Sequence, residues 1–407
     1  MDVARLAADL AADADARLAG ADAALAAQFP GDRAGRQPVH TVYVPADRYR
    51  ADLAPAWGAQ ALAALDEHGA LFRELVGDDE LVERVRGKLA AEPIEDLRID
   101  FEDGYGGRPD DMEDADVAAA ATALAMSTKD GTAPAFRGIR IKSFEAPTRR
   151  RGLRTLAAFV PALLDAGGDL DGFVVTLPKV TSVDQVEAMV HVCAELERAL
   201  GVDGLRFEIQ VETPQSILGP DGTALVARMI HASAGRCTAL HYGTYDYSAF
   251  CGIAAAYQSM AHPVADHAKL VMQAAAAGTG VRLSDGSTNV LPVGDNIRSG
   301  WELHLSLVRR SLERGYYQGW DLHPAQLPTR YAATFGFYRD GLGGATERLR
   351  NYVSQTASAI LDEPATARAL ADFVLRALHC GATSAAEVEA ATGLPADALA
   401  KLARPGH

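Results

Sequence analysis

Two short runs, residues 205–213 (LRFEIQVET) and 237–248 (CTALHYGTYDYS), carry carboxylates at or near their ends, Glu212 and Asp246. Runs of this length, rich in β-branched and aromatic residues, read as buried strands. A carboxylate just past such a run sits at the carboxyl end of a sheet, where α/β barrels build their active sites. Burying an acid costs several kcal/mol or neutralises it unless a cation or donors meet it. Two acids on successive strands therefore point to a shared divalent cation. Mg²⁺ fits, because it takes one or two protein carboxylates and completes its octahedron with water and substrate oxygens. The structural alternative is a pair of buried ion pairs with Arg140 and Lys179.

Further groups lie at other strand ends. In residues 97–103 (LRIDFED), alternation puts Asp100 and Glu102 on one face and Asp103 on the other; the plainer reading is an acid-rich turn before Gly104. Residues 136–143 (FRGIRIKS) carry Arg140 and Lys142 at period two. Two inward cations there make an anion receptor, with Arg140 suited to grip a carboxylate through two parallel bonds. Lys179, in Leu177-Pro178-Lys179-Val180, either binds an anion or pairs with the acids; a Schiff-base role would need desolvation away from them. His323 ends an eighth run and His241 lies inside the sixth, where a lone histidine is more often a satisfied core residue than a catalyst. Tyr242, Tyr245 and Tyr247 flank Asp246 as packing groups, or with one hydroxyl free to donate to a substrate.

The elements that must position these groups alternate along the chain. Strand-like runs at 41–45, 97–103, 136–143, 172–180, 205–213, 237–248, 280–284 and 318–322 are separated by helical tracts such as 51–89, 112–127, 152–166 and 183–200. Eight continuous apolar strands between helices predict a parallel sheet covered by helices, and closure into a (β/α)₈ TIM barrel is the expected fold. A doubly wound open sheet would carry a glycine-rich first turn, which is missing. The expected organisation is a helical segment over 1–36, the barrel over 37–339 and a helical extension over 340–407. The first is a leading helix or helical hairpin; the last contains amphipathic stretches at 345–361 and 363–378 and two short helices split near Gly393. Residues 285–296 (DGSTNVLPVGDN) form a long polar loop after the seventh strand, either a small hairpin or a surface excursion.

Composition narrows the partners. The chain has 407 residues, is 48% hydrophobic and has a formal net charge of −15, which supports a large core and argues against nucleic acid or anionic membrane. Four scattered cysteines without C-x-x-C spacing read as reduced thiols rather than a disulfide frame or zinc site. No apolar run approaches the ~18 residues that span a bilayer, and the first residues lack a continuous apolar stretch, so a cytoplasmic protein is expected.

Taken in order, RIDFEDG, IRIKS, LPKV, EIQVETP, HYGTYDYS and GWDLHPAQL resemble the HpcH/HpaI aldolase/citrate lyase family, the citrate lyase β-subunit branch being the closer match. The resemblance covers about residues 41–339 and extends to the metal site of malate synthases. It implies a Mg²⁺-dependent carbon–carbon lyase or aldolase, with Mn²⁺ as a substitute. The substrate would be an α-keto or α-hydroxy acid, or a CoA thioester, reacting through an enolate. It further implies a homo-oligomer such as a trimer. On the same resemblance Glu212 and Asp246 hold the metal, and Asp100, Glu102 and Asp103 hold its waters. The family's substrate-binding arginine falls on Arg140. The residues themselves add Lys142 and Tyr245 as substrate-binding candidates, a metal-bound hydroxide, Asp103 or His323 as candidate general bases, and Lys179 as a further catalytic candidate. The rivals are a malate synthase-like condensing enzyme, a thioesterase on the same metal site, and a non-catalytic barrel that binds an organic acid. Two departures stand out: Asp103 where the hydroxy-oxo-acid aldolase branch has histidine, and Lys142 where the citrate lyase branch has asparagine.

Overall fold

A computed structural model describes residues 1–354 and 363–404. Eight strands form the sheet: β1 (His40–Pro45), β2 (Asp96–Asp100), β3 (Phe136–Arg140), β4 (Phe173–Leu177), β5 (Arg206–Val211), β6 (Cys237–Tyr242), β7 (Arg282–Ser284) and β8 (Gly319–Asp321). All pair in parallel, in the order β7 through β1 and then β8. The ring closes through a bridge between Ser284 and Gln318. There the Asp285 N–H donates to the Gln318 carbonyl at 2.8 Å, and the Trp320 N–H to the Gly286 carbonyl at 3.1 Å. The protein is a (β/α)₈ barrel, as the alternation predicts.

Register separates two faces. Ile99, Ile139 and Val175 are successive partners across β2, β3 and β4, and all are fully buried against the helical layer. The alternate residues face inward and are largely polar. Arg98 donates to Glu208 through Nε at 3.0 Å and Nη2 at 2.7 Å, and also pairs with Asp96. His241 accepts from the Trp320 indole at 3.1 Å through Nδ1, and its Nε2 lies 3.0 Å from Glu208. His241 is thus a core residue held between Trp320 and Glu208.

Six of the eight strands end before the expected runs do, most of all β6, which ends at Tyr242 and gives way to a helix at Thr244–Phe250. The helical tract expected over 51–89 is three helices, Leu53–Glu67, Gly69–Val76 and Asp79–Ala91, the second ending at Gly77 with φ of 71°. At the start of the chain a single helix, Val3–Gln28, buries none of its residues. At the other end the helix Leu327–Val353 runs without a break through the expected boundary at 339/340. Residues 355–361 of the amphipathic stretch expected over 345–361 lie outside the described residues. Helices Pro364–Cys380, Ala385–Thr392 and Ala396–Ala403 share a small second core with it, built on Leu349, Val374, Val388 and Leu399. No helix of the described residues is long and apolar enough to cross a membrane.

Candidate active site

The carboxyl ends of β2 to β6 bring together the groups singled out from the sequence. In the β2–β3 register Asp100 stands opposite Arg140. Arg140 donates to it through Nε at 2.6 Å and Nη2 at 2.7 Å, with both side chains buried. The backbone N–H groups of Glu102 and Gly104 donate to the same carboxylate, each at 2.9 Å. A Cβ at Gly104 would come within 2.6 Å of Asp100 Oδ2, so the chain can wrap the acid only with glycine there. The guanidinium also lies over the Tyr43 ring, 4.8 Å from its centre. Nη1 is left, 3.5 Å from Glu102.

Lys179 lies at the centre. Pro178 ends β4, and Lys179 takes φ of 50°, a left-handed conformation that L-residues adopt at a cost. Its backbone N–H then donates to Glu212 Oε1 at 2.7 Å. Its ammonium donates to Glu102 at 2.5 Å and Asp103 at 2.7 Å, and stands 3.8 Å from Asp246.

Glu212 follows β5, just before Thr213 and the helix-starting Pro214, and is buried. Asp246 arrives from the first turn of the Thr244–Phe250 helix rather than from a strand. Gly243 explains the change: a Cβ at that position would lie 2.7 Å from Glu212 Oε2, so the backbone passes close over the acid and then turns into helix. Burial pushes the Glu212 carboxyl up to about 8 against the pull of Lys179, with the charges of Glu102 and Asp246 adding to the rise. Burial also carries Glu102 up to about 6. Burial acts upward on Asp103 as well, but the hydrogen bond and charge of Lys179 outweigh it and hold that carboxyl below its ordinary value.

The donor chemistry therefore fits a divalent cation: two hard carboxylates whose charges act on each other, one of them buried and disfavoured as an anion by its surroundings. No group of three or more His, Cys, Asp or Glu side chains gathers at metal-binding geometry among the described residues.

The remaining expected residues are employed otherwise. Lys142 donates to Glu113 on the helix Asp110–Lys129 and to the Phe101 carbonyl, both at 2.7 Å. This corrects the expectation that period-two spacing turns it inward beside Arg140: β3 ends at Arg140, so strand alternation no longer governs residue 142. His323 caps the turn Pro324–Gln326, its Nδ1 accepting from the Ala325 N–H at 3.1 Å. Burial holds its imidazole below the usual histidine range. The Tyr245 hydroxyl accepts from the Asn289 N–H at 2.7 Å and so fastens the 285–296 loop beside Asp246. That loop forms neither strand nor hairpin, and Gln326 donates to the Thr288 carbonyl at 3.1 Å.

Sequence reading missed Gln210 and Tyr43. Gln210 precedes Glu212 by two residues on β5, and both of its amide atoms are buried without a partner among the described residues, as is the Tyr43 hydroxyl. Period-two counting back from Glu212 was the available signal for Gln210; Tyr43 offered none, because its contact with Arg140 arises only when β1 and β3 are brought together.

Residues 18–406 match the family described as a domain of unknown function, DUF6986. The chain belongs to that family. No curated protein matches this DUF6986 chain. Among solved structures, it is similar to the Haloferax volcanii malate synthase magnesium/glyoxylate complex (14% identity, 91% of this chain and 99% of that one, TM-score 0.49). It is similar also to CitE from Mycobacterium tuberculosis in complex with magnesium, acetoacetate and coenzyme A (18% identity, 85% and 99%, TM-score 0.48). A third is an HpcH/HpaI aldolase/citrate lyase family protein from Burkholderia cenocepacia (17% identity, 77% and 96%, TM-score 0.42).

Proposed function

We propose that the protein is a Mg²⁺-dependent enzyme that cleaves or forms a carbon–carbon bond in an α-keto or α-hydroxy acid, free or as a CoA thioester. The observation that carries this reading is Glu212: a buried carboxyl beside Asp246 and Glu102, with its Oε1 fixed by the Lys179 amide. The order of motifs along the strands supports it independently.

Glu212 and Asp246 would hold the ion. When bound, Mg²⁺ polarises a substrate carbonyl or carboxylate as a Lewis acid. Arg140, locked by Asp100, presents Nη1 to a substrate carboxylate and helps offset negative charge as it develops. Asp103 is more than half exposed and kept ionised by Lys179, so it is placed to accept a proton from the substrate carbon. His323 is the less available base, because its Nδ1 lone pair already receives the Ala325 N–H. Tyr245 keeps the 285–296 loop against the site.

The test is product analysis by mass spectrometry after incubation with Mg²⁺ and pyruvate, glyoxylate, oxaloacetate and acyl-CoA candidates. Turnover that chelation removes and Glu212→Gln abolishes is the expected result. A second reading, an organic-acid-binding barrel without turnover, draws on the Lys179 ammonium, which already neutralises part of the acid cluster. Ligand-dependent thermal shifts with no product across the panel would favour it.

A further inference from the structure

The opposite, amino-terminal end of the barrel carries a feature that the proposed reaction does not use. The segment after the first helix, the carboxy-terminal helix Pro364–Cys380 and Arg404, just past the helix Ala396–Ala403, meet the strand starts there around a partly open cavity of about 220 Å³. Arg33, Arg282, Arg376 and Arg404 line it, with only Asp32 and Asp372 as acids. In a chain of net charge −15, this concentrates positive charge in one partly open cavity.

The four guanidinium groups are not neutralised in pairs. Asp372 serves both Arg376, and Arg404 at 2.7 Å. Arg282 has no carboxylate partner among the described residues; it donates to the Gly35 carbonyl at 3.3 Å. Arg33 likewise donates to carbonyls alone, those of Gly235 at 3.1 Å and Cys237 at 3.0 Å. Burial, then the charges of Arg376, Arg33 and Arg404, push the Arg282 guanidinium down to about 10. The Nε of Arg404 is buried without a partner among the described residues. Arg376 is held in place, its Nη1 donating to Gln37 at 2.8 Å and its guanidinium 4.3 Å from the centre of the Tyr317 ring. Like-charged groups that are partly desolvated, fixed and short of acids are stabilised by an anion with several oxygens, which accepts from their forks and cancels their repulsion.

We propose that this cavity is a binding site for a small multivalent oxyanion, phosphorylated or polycarboxylate, that locks the carboxy-terminal extension onto the base of the barrel. Arg282 is its central ligand, reached from β7, with Arg376 and Arg404 closing on the anion from the extension. The site is remote from Glu212 and independent of the metal.

Thermal melting and titration calorimetry on the full chain in EDTA test this, with sodium pyrophosphate and citrate as probes and sodium chloride at matched ionic strength as control. At least one probe is expected to raise Tm where chloride does not; which one does so tells phosphate from carboxylate. Arg282→Gln should weaken binding roughly ten-fold or more, the loss of one charge-assisted contact. Without anion, Arg282→Gln should melt at or above the wild-type temperature, since it relieves repulsion, so loss of binding will not reflect misfolding. Glu212→Gln should bind the probe as wild type does. The proposal is overturned if neither probe binds beyond the chloride effect, if Arg282→Gln binds unchanged or melts lower, or if Glu212→Gln loses the binding.

Discussion

The Lys179 backbone N–H donates to Glu212 Oε1 at 2.7 Å, and Lys179 holds a left-handed backbone, φ of 50°, to make that bond. The same residue turns its ammonium to Glu102 and Asp103. One residue at the end of β4 thus fixes the buried acid through its backbone and gathers the neighbouring acids through its side chain.

The backbone strain makes a stability prediction. Lys179→Ala and Lys179→Gly both remove the ammonium, but only glycine adopts φ of 50° freely. The glycine variant should be the more stable of the two by about 1 kcal/mol, read from urea unfolding midpoints. Equal stability would mean that the left-handed conformation is not held in solution.

Asp100 and Arg140 form a buried bidentate pair. Asp100→Ala leaves a buried guanidinium with only the more distant Glu102, and should cost about 3–5 kcal/mol in denaturant unfolding. Arg140→Lys keeps the charge but loses the fork. It should raise KM for the acid substrate more than a change outside the cluster does.

Lys142 offers the contrasting case. Its partner Glu113 is fully buried and keeps Thr155 at 2.6 Å and Arg151 at 3.2 Å when the lysine goes. Lys142→Met should therefore lower stability by about 1–3 kcal/mol while KM stays unchanged. A large rise in KM with unaltered Tm would return Lys142 to the substrate.

The raised Glu212 carboxyl gives a pH dependence. Its value is about 8 in the folded metal-free chain against an ordinary 4.5, so between those values the folded state holds a proton that the unfolded chain has released. Stability of the metal-free protein should fall as pH rises from about 4.5 to about 8, and Glu212→Gln should flatten that part of the Tm profile. Mg²⁺ affinity should climb over the same range, because the ion replaces the proton.

The barrel was legible because eight β-rich runs alternate with helical tracts, and each run overlaps a real strand. The acids and cations at strand ends were legible for the same reason, since a polar residue just past an apolar run has few places to go. Strand ends were not. Whether Lys142 points in or out depends on β3 stopping at Arg140, and whether Asp246 comes from strand or helix depends on Gly243 passing over Glu212. Both are tertiary contacts across strands, invisible to period-two counting. Likewise the bidentate grip of Asp100 on Arg140 follows from interstrand register, which local pattern does not encode.

Titration calorimetry with Mg²⁺ at pH 8, on wild type, Glu212→Gln and Asp246→Asn, tests the central claim most directly. The wild type should bind one ion, and each variant should lose at least about a hundred-fold in affinity, more than changes outside the coordination shell usually cause. Binding of equal strength in all three proteins, or none in the wild type, would contradict the assignment of Glu212 and Asp246 as the metal site.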